Sequence, residues 1–304
     1  MIHMIEFRAM NCQVSVQLDA DESAAAALRG LPNRLVAIEA VLTRFNPDSE
    51  LMRLNARSGE WVTVSDVLFA NICAARKAAL LTDGLYNPLI LSALIASGYD
   101  RTFEHIGVSA THAPPVSADW RAIKQRPETR EVYIPAGSAL DLGGIAKGWA
   151  ATAVADDLLE YGACLVNIGG DMVARGAPGG FSGWPVEIQD PLTGEAFTTV
   201  HLLDESISTS GIDLRHWHDD HGRERHHIID PRTGDTAVTD VLSATVIHPH
   251  APIAEAYAKA LILRGADAGL DWLHQQWDAA GLVFRRDGTV LATSTLIHER
   301  NASL

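Results

Sequence analysis

The chain has 304 residues, 47% hydrophobic and 20% charged, a balance that suits a folded globular protein and excludes a disordered one. With 24 Lys and Arg against 38 Asp and Glu, the net charge is -14, which excludes the basic footprint that nucleic-acid phosphates require. No apolar run reaches the roughly 18 residues of a membrane span. The start, MIHMIEFRAM, lacks the basic and apolar stretches of a signal peptide, so the expected location is the cytoplasm. Cys12, Cys73 and Cys164 are odd in number and lack zinc-ligand spacing; their apolar neighbours predict three buried thiols.

Cys12, Val14, Val16 and Leu18 alternate with polar residues, the pattern of a half-buried strand paired to Met4–Ala9. Pro32 opens a helix whose stripe is Leu35, Ile38, Val41 and Leu42. Ser65 caps a second helix that stops before Gly84. Residues 101–138 read as a long connection with a short strand at Glu131–Pro135, and a third helix is expected from near Gly144 to Tyr161. β-rich runs follow at Cys164–Ile168, Met172–Arg175, Pro185–Gln189, Thr198–Leu203, Ile207–Ser210, His226–Ile229 and Val241–Ile247. Pro252 begins a fourth helix, Asp267–Gln275 a short one, and a hairpin turned by Asp287-Gly288 closes the chain. Strands and helices mix without βαβ alternation, so the fold class is α+β, in a single unit with the option of two lobes around a cleft.

Asp141-Leu-Gly-Gly-Ile-Ala-Lys-Gly148 carries the most chemistry. Two glycines open a helix whose free N–H groups attract an anion, and Lys147 adds a full charge. It is neither a P-loop nor a dinucleotide fingerprint, and a capped helix start with a solvated lysine explains it equally well. Asn167-Ile-Gly-Gly-Asp171 and Asp83-Gly-Leu-Tyr-Asn-Pro88 read as tight turns. His216, His218, Asp219, Asp220, His221, His226 and His227 crowd one segment without zinc spacing, which favours a solvated hairpin loop over a metal site. Glu255 and Lys259, four apart on a helix, read as a surface pair.

Each signal is weak, but their order is specific. Phe7-Arg-Ala-Met10, the run Thr43-Arg-Phe-Asn-Pro-Asp-Ser-Glu-Leu-Met-Arg-Leu-Asn55, DGLYNP, DLGGIAKG, NIGGD, SISTSG and HHIIDPRTG together resemble the FAD:protein FMN transferase (ApbE) family, from about residue 5 to 297. The resemblance implies an α+β fold of mixed sheets and packed helices with an FAD cleft. It also implies transfer of FMN from FAD onto a Ser or Thr hydroxyl of an acceptor flavoprotein, aided by Mg²⁺, with release of AMP. Met10 and Phe45 would line the flavin, Asp83, Asp141 and Lys147 would hold the nucleotide, and His227 would sit beside the flavin or the diphosphate. Glu255 and His227 would be catalytic, and Glu255 with the Gly144 carbonyl would ligate the metal.

The chain departs from that pattern at Met10-Asn11-Cys12, where the family has Met-Gly-Thr, and at Asn87, where it has Asp. Its metal helix reads Glu255-Ala-Tyr-Ala-Lys259 in place of Asp-Ala-Xaa-Ala-Thr. Glutamate can ligate Mg²⁺, whereas an ammonium cannot. This leaves hydrolysis of FAD to FMN and AMP, or FAD binding without catalysis and with Lys259 in the metal position, as alternatives.

Overall fold

The structure, a computed structural model, describes residues 1–106, 118–294 and 296. Part of the long connection expected at 101–138 therefore lies outside the described residues. The chain divides into two compact units. The first takes Met1–Ala37, Lys147–Gly211 and the chain from Thr239 onward; the second takes Ile38–Ala146 and Ile212–Val238. The helices are α1 (Leu31–Leu42), α2 (Glu50–Asn55), α3 (Asp66–Leu81), α4 (Leu91–Ala96), α5 (Ala146–Leu158), α6 (Ala251–Arg264) and α7 (Ala266–His274). None is long and apolar enough to cross a membrane, among the described residues.

The first unit is organised by an eight-stranded sheet: β1 (Ile2–Ala9), β2 (Cys12–Asp19), β3 (Ala163–Ile168), β4 (Asp171–Arg175), β5 (Ser206–Gly211), β6 (Val241–His248), β7 (Ala280–Arg285) and β8 (Val290–Ala292). Their spatial order is their chain order, and every neighbouring pair is antiparallel. The alternation read in β2 is real: Val14, Val16 and Leu18 are fully buried. Met10 and Asn11, both at positive φ, form the two-residue turn between β1 and β2. Helix α6 packs on β5 and β6, and Trp184, Val186, Phe284 and Leu282 fill an apolar core.

The second unit combines α2, α3 and α4 with a three-stranded sheet, in the order Trp61–Thr63, Glu131–Tyr133, Lys124–Arg126. Ser65 caps α3 as expected, accepting the Leu68 N–H at 3.3 Å, and Ser49 caps α2 in the same way. Helices α2 and α4 escape a sequence reading because six residues are too few to display a period. The expected third helix begins at Ala146, not Gly144, because residues 143–145 form a turn. The strand expected at His226–Ile229 is broken in two. His226 turns inward, its Nδ1 accepting the Ile228 N–H at 3.3 Å and its Nε2 donating to the Ala237 carbonyl at 3.1 Å.

The expectation of three buried thiols is corrected: Cys164 is buried, Cys12 is half-buried and Cys73 is exposed.

Candidate functional site

In the first unit, four charged side chains meet at the start of α5. Lys147, the second residue of that helix, pairs with Asp171 and lies 3.3 Å from Glu255 Oε1. Lys259 Nζ lies 3.3 Å from the same oxygen and 3.4 Å from the Glu255 carbonyl. The other carboxylate oxygen, Oε2, accepts the Gly148 N–H at 3.4 Å. The two acids are only 2% exposed, the two lysines about a fifth exposed. The solvated lysine, one of the two readings left open for Lys147, does not form, and the Glu255–Lys259 pair expected at the surface forms with its carboxylate buried.

Local sequence explains the convergence. Asp171 closes the two-residue Gly169-Gly170 turn between β3 and β4, with both glycines at positive φ. A side chain at Gly169 would meet Cys12 at 2.8 Å, so that turn can seat against the β1–β2 hairpin only with glycine there. A side chain at Gly148 would meet Ala251 backbone at 3.0 Å, so glycine lets α5 approach α6 and brings Lys147 to Glu255.

Electrostatics follow from burial and pairing. Burial alone would push the Lys147 ammonium down, but the Asp171 and Glu255 carboxylates outweigh it and hold it above its ordinary value. Burial opposes the Glu255 anion too, yet Lys147 and Lys259 hold its carboxyl below the usual range. Asp171 goes the other way: burial and the neighbouring Glu255 charge push it up against the pull of Lys147.

A divalent cation needs oxygen ligands, for Mg²⁺ at about 2.0–2.1 Å. The Glu255 side chain already holds two ammonium groups and an amide, so this donor set does not fit Mg²⁺ as arranged. No group of three or more His, Cys, Asp or Glu able to hold a metal occurs among the described residues. Gly144, the other expected ligand, lies in the turn ahead of α5.

In the second unit, an arginine is enclosed by aromatic rings. The Arg44 guanidinium stacks 4.3 Å from the Phe45 ring centre and 4.4 Å from that of Tyr99. Its Nε bonds Asp141 Oδ2 at 3.0 Å and its Nη1 donates to the Tyr99 carbonyl at 2.8 Å. Its Nη2 is buried without an acceptor among the described residues. Tyr99 also contacts Trp217, at 5.7 Å between ring centres, and His227 edge-on, at 6.4 Å. The guanidinium is thus held by two ring faces and two oxygen acceptors, and Nη2 is the nitrogen left without one.

The remaining expected residues have definite places. Asp141 is largely committed: Oδ1 accepts the Gly143 N–H at 2.9 Å while Oδ2 holds Arg44. Asp83 is exposed, at positive φ, in the turn beyond α3. Met10 sits half-buried in the β1–β2 turn. Asn87 uses both ends of its amide, accepting the Leu89 N–H at 2.9 Å and donating to the Ala118 carbonyl at 3.0 Å. An aspartate could not make the second bond while ionised.

The His-rich segment is a hairpin, His216–His218 with Glu224–His226. His216, His218 and His221 are exposed, but the expectation of a wholly solvated loop misses Asp219, which is buried under Arg223 and Arg225. Sequence reasoning also passed over Asp171, Arg44, Tyr99 and Trp217. Asp171 and Arg44 stand inside quoted motifs; Tyr99 and Trp217 had no spacing signal.

This chain belongs to the ApbE family, whose pattern matches residues 10–283. It is 31% identical over 300 residues to the FAD:protein FMN transferase of Treponema pallidum (strain Nichols), covering 90% of this chain and 80% of that one. Its fold matches the crystal structure of the ApbE protein of Thermotoga maritima with a TM-score of 0.87 at 24% identity, over 99% of both chains. The apo form of the Pseudomonas stutzeri flavinyl transferase ApbE matches with a TM-score of 0.84 at 20% identity, over 100% of this chain and 98% of that one.

Proposed function

We propose that the protein binds FAD and transfers its FMN part to a Ser or Thr hydroxyl of an acceptor flavoprotein. The observation that carries the reading is the Arg44 arrangement, a stacked and buried guanidinium with one nitrogen still lacking an acceptor. Membership of a family whose curated relatives are named FAD:protein FMN transferases supports the reaction class.

The residues divide the work. Phe45, Tyr99 and His227 supply ring surface, and Arg44 Nη2 offers a charged donor to a flavin carbonyl. Met10, Asp83 and Asp141 belong to the binding set, Asp141 acting through Arg44 and the turn at Gly143. Lys147 joins the nucleotide-binding set by the family resemblance, with its ammonium held at the start of α5 by Asp171 and Glu255. In the transfer, the acceptor hydroxyl oxygen bonds to the FMN-side phosphorus as its proton passes to water, and the bridging P–O bond breaks with its electron pair leaving on the phosphate oxygen of AMP. Positive charge held in place stabilises the oxygens as that bond breaks. Glu255, held below its usual range by two ammonium groups, is a weak proton acceptor and serves as their anchor.

Two measurements test the reading: flavin fluorescence on titration with FAD, and AMP release with and without a hydroxyl-bearing acceptor. Tight FAD binding with acceptor-dependent AMP release is expected. The ammonium groups on Glu255 favour, as a second reading, an FAD-binding protein without transfer, which predicts flavin binding and no AMP. AMP release independent of acceptor indicates hydrolysis instead. Absence of flavin binding overturns all three.

A further inference from the structure

The cluster of Lys147, Asp171, Glu255 and Lys259 contains two buried anions and two cations that reach them through short contacts. We infer that Lys259, with Lys147, holds ammonium charge where the resemblance implies a divalent cation, and that residue 259 decides whether this site takes up metal. The inference rests on the FAD-binding reading only for the purpose of the charge; the closure to metal stands on the cluster itself.

Three observations carry it. The first is donor capacity. A carboxylate oxygen has two acceptor sites, and Glu255 Oε1 spends both on ammonium groups at 3.3 Å, while Oε2 faces the Gly148 amide. The second is charge. Lys147 and Lys259 balance Asp171 and Glu255, so an added divalent cation would leave two uncompensated positive charges beside two ammonium groups in a largely desolvated place. The third is reach. Lys259 lies one helical turn from Glu255 on α6, and its ammonium also bonds the Glu255 carbonyl, so the same short stretch of helix that offers the carboxylate delivers the group that covers it. A threonine at 259 would remove the charge and leave a hydroxyl oxygen on that turn. A methionine would remove the charge and offer no hard oxygen donor.

Mn²⁺, counted by the loss of its free EPR signal, is the probe, with the unaltered protein, Lys259→Thr and Lys259→Met, each checked for folding by circular dichroism. Titrations run with and without FAD. The unaltered protein is expected to take up no stoichiometric Mn²⁺ in either condition. Lys259→Thr should bind one ion about tenfold or more tighter, and Lys259→Met should fall between, separating charge removal from ligation. One-to-one uptake by the unaltered protein, with or without FAD, overturns the inference. So does the absence of a gain in both folded variants. If Lys259→Thr does not fold, Lys259→Met and the unaltered protein still decide. FAD binding is followed in parallel by flavin fluorescence in EDTA; its failure would sink the functional reading and leave the metal result standing.

Discussion

The carboxylate of Glu255 accepts the backbone N–H of Gly148 at 3.4 Å, at the first turn of α5. That is where an anion belongs at a helix start, and here the protein supplies its own. Glu255 thus collects a backbone dipole and two ammonium groups while 2% exposed. Glu255→Gln should strand Lys259, leave Lys147 with Asp171 alone, and destabilise the protein by about 3 kcal/mol, the size expected when one partner of a buried ion pair is removed. Asp171→Asn should cost less at neutral pH, because burial and Glu255 already push the Asp171 carboxyl up. Chemical denaturation of both variants checks the order.

The two acids also differ in sign with pH. Glu255 is held below its unfolded value, so its contribution is present above that value and is lost as pH falls through its lower folded one. Asp171, held above its unfolded value, is less costly to bury as pH falls, since the folded state takes up its proton first. As pH falls from neutral, the stability deficit relative to the parent should therefore shrink in Glu255→Gln and grow in Asp171→Asn, as read by denaturant titrations at each pH.

Asp219 offers a cleaner acid response. Burial would raise its carboxyl, but the backbone N–H of Arg223, the Arg225 and Arg223 side chains and the His221 N–H outweigh it and hold it far below the usual range. Its stabilisation is complete above the unfolded value near 4 and is lost only as pH drops toward the depressed folded value. Trp217, buried on the same hairpin, reports on it. Trp fluorescence of the parent should hold through mild acid and change at lower pH. In Asp219→Asn that acid-dependent step should vanish, with the hairpin weakened at every pH where the parent's Asp219 is ionised.

What was legible in the sequence follows from what kind of signal each residue leaves. The alternation of Val14, Val16 and Leu18 and the Ser65 cap are local, so they could be read directly. The eight-stranded order could not, because residues 20–162 separate two strands that lie side by side. Lys147 and Glu255 were legible as site candidates from the family pattern, but not as partners: they are 108 apart in the chain and meet only because Gly148 admits Ala251. Asp171 hid behind its glycines, since a turn accounts for the NIGGD letters completely until the side chain is seen to face Lys147. Arg44 stood in plain view between Thr43 and Phe45, yet nothing local says that its guanidinium is buried between rings.

The thiols separate by exposure. Cys73 is exposed, although partial burial of its sulfur raises its thiol somewhat; Cys164 is buried, with its thiol pushed up to about 12. The thiolate is the reactive form. A disulfide-exchange reagent at pH 8 should modify Cys73 in the native protein and leave Cys164 untouched until denaturant is added. Cys73→Ser should remove the native reaction at that site without altering flavin binding. Rapid native labelling of Cys164 would contradict its packing.

Arg44 is the residue on which the flavin reading turns. It joins four groups: the faces of Phe45 and Tyr99, the Asp141 carboxylate and the Tyr99 carbonyl. Lysine cannot reproduce this, since a point charge has neither the planar face nor the fork that reaches two acceptors at once. A charged hydrogen bond to a ligand is worth about 1.5–3 kcal/mol, so Arg44→Met should weaken FAD binding about tenfold or more, and Arg44→Lys should recover only part of it. A purely structural arginine predicts a different pattern: loss of thermal stability in step with any loss of affinity, and an unchanged spectrum for whatever flavin still binds. A donor to a flavin carbonyl predicts a shift in the bound flavin's absorption in the folded variant. Ser in place of the exposed His216, His218 and His221 together should leave both affinity and spectrum alone, whereas His227→Ala, at the edge of the Tyr99 ring, should lower affinity. Loss of flavin in the triple variant with no effect at Arg44 or His227 would move the flavin site to the hairpin.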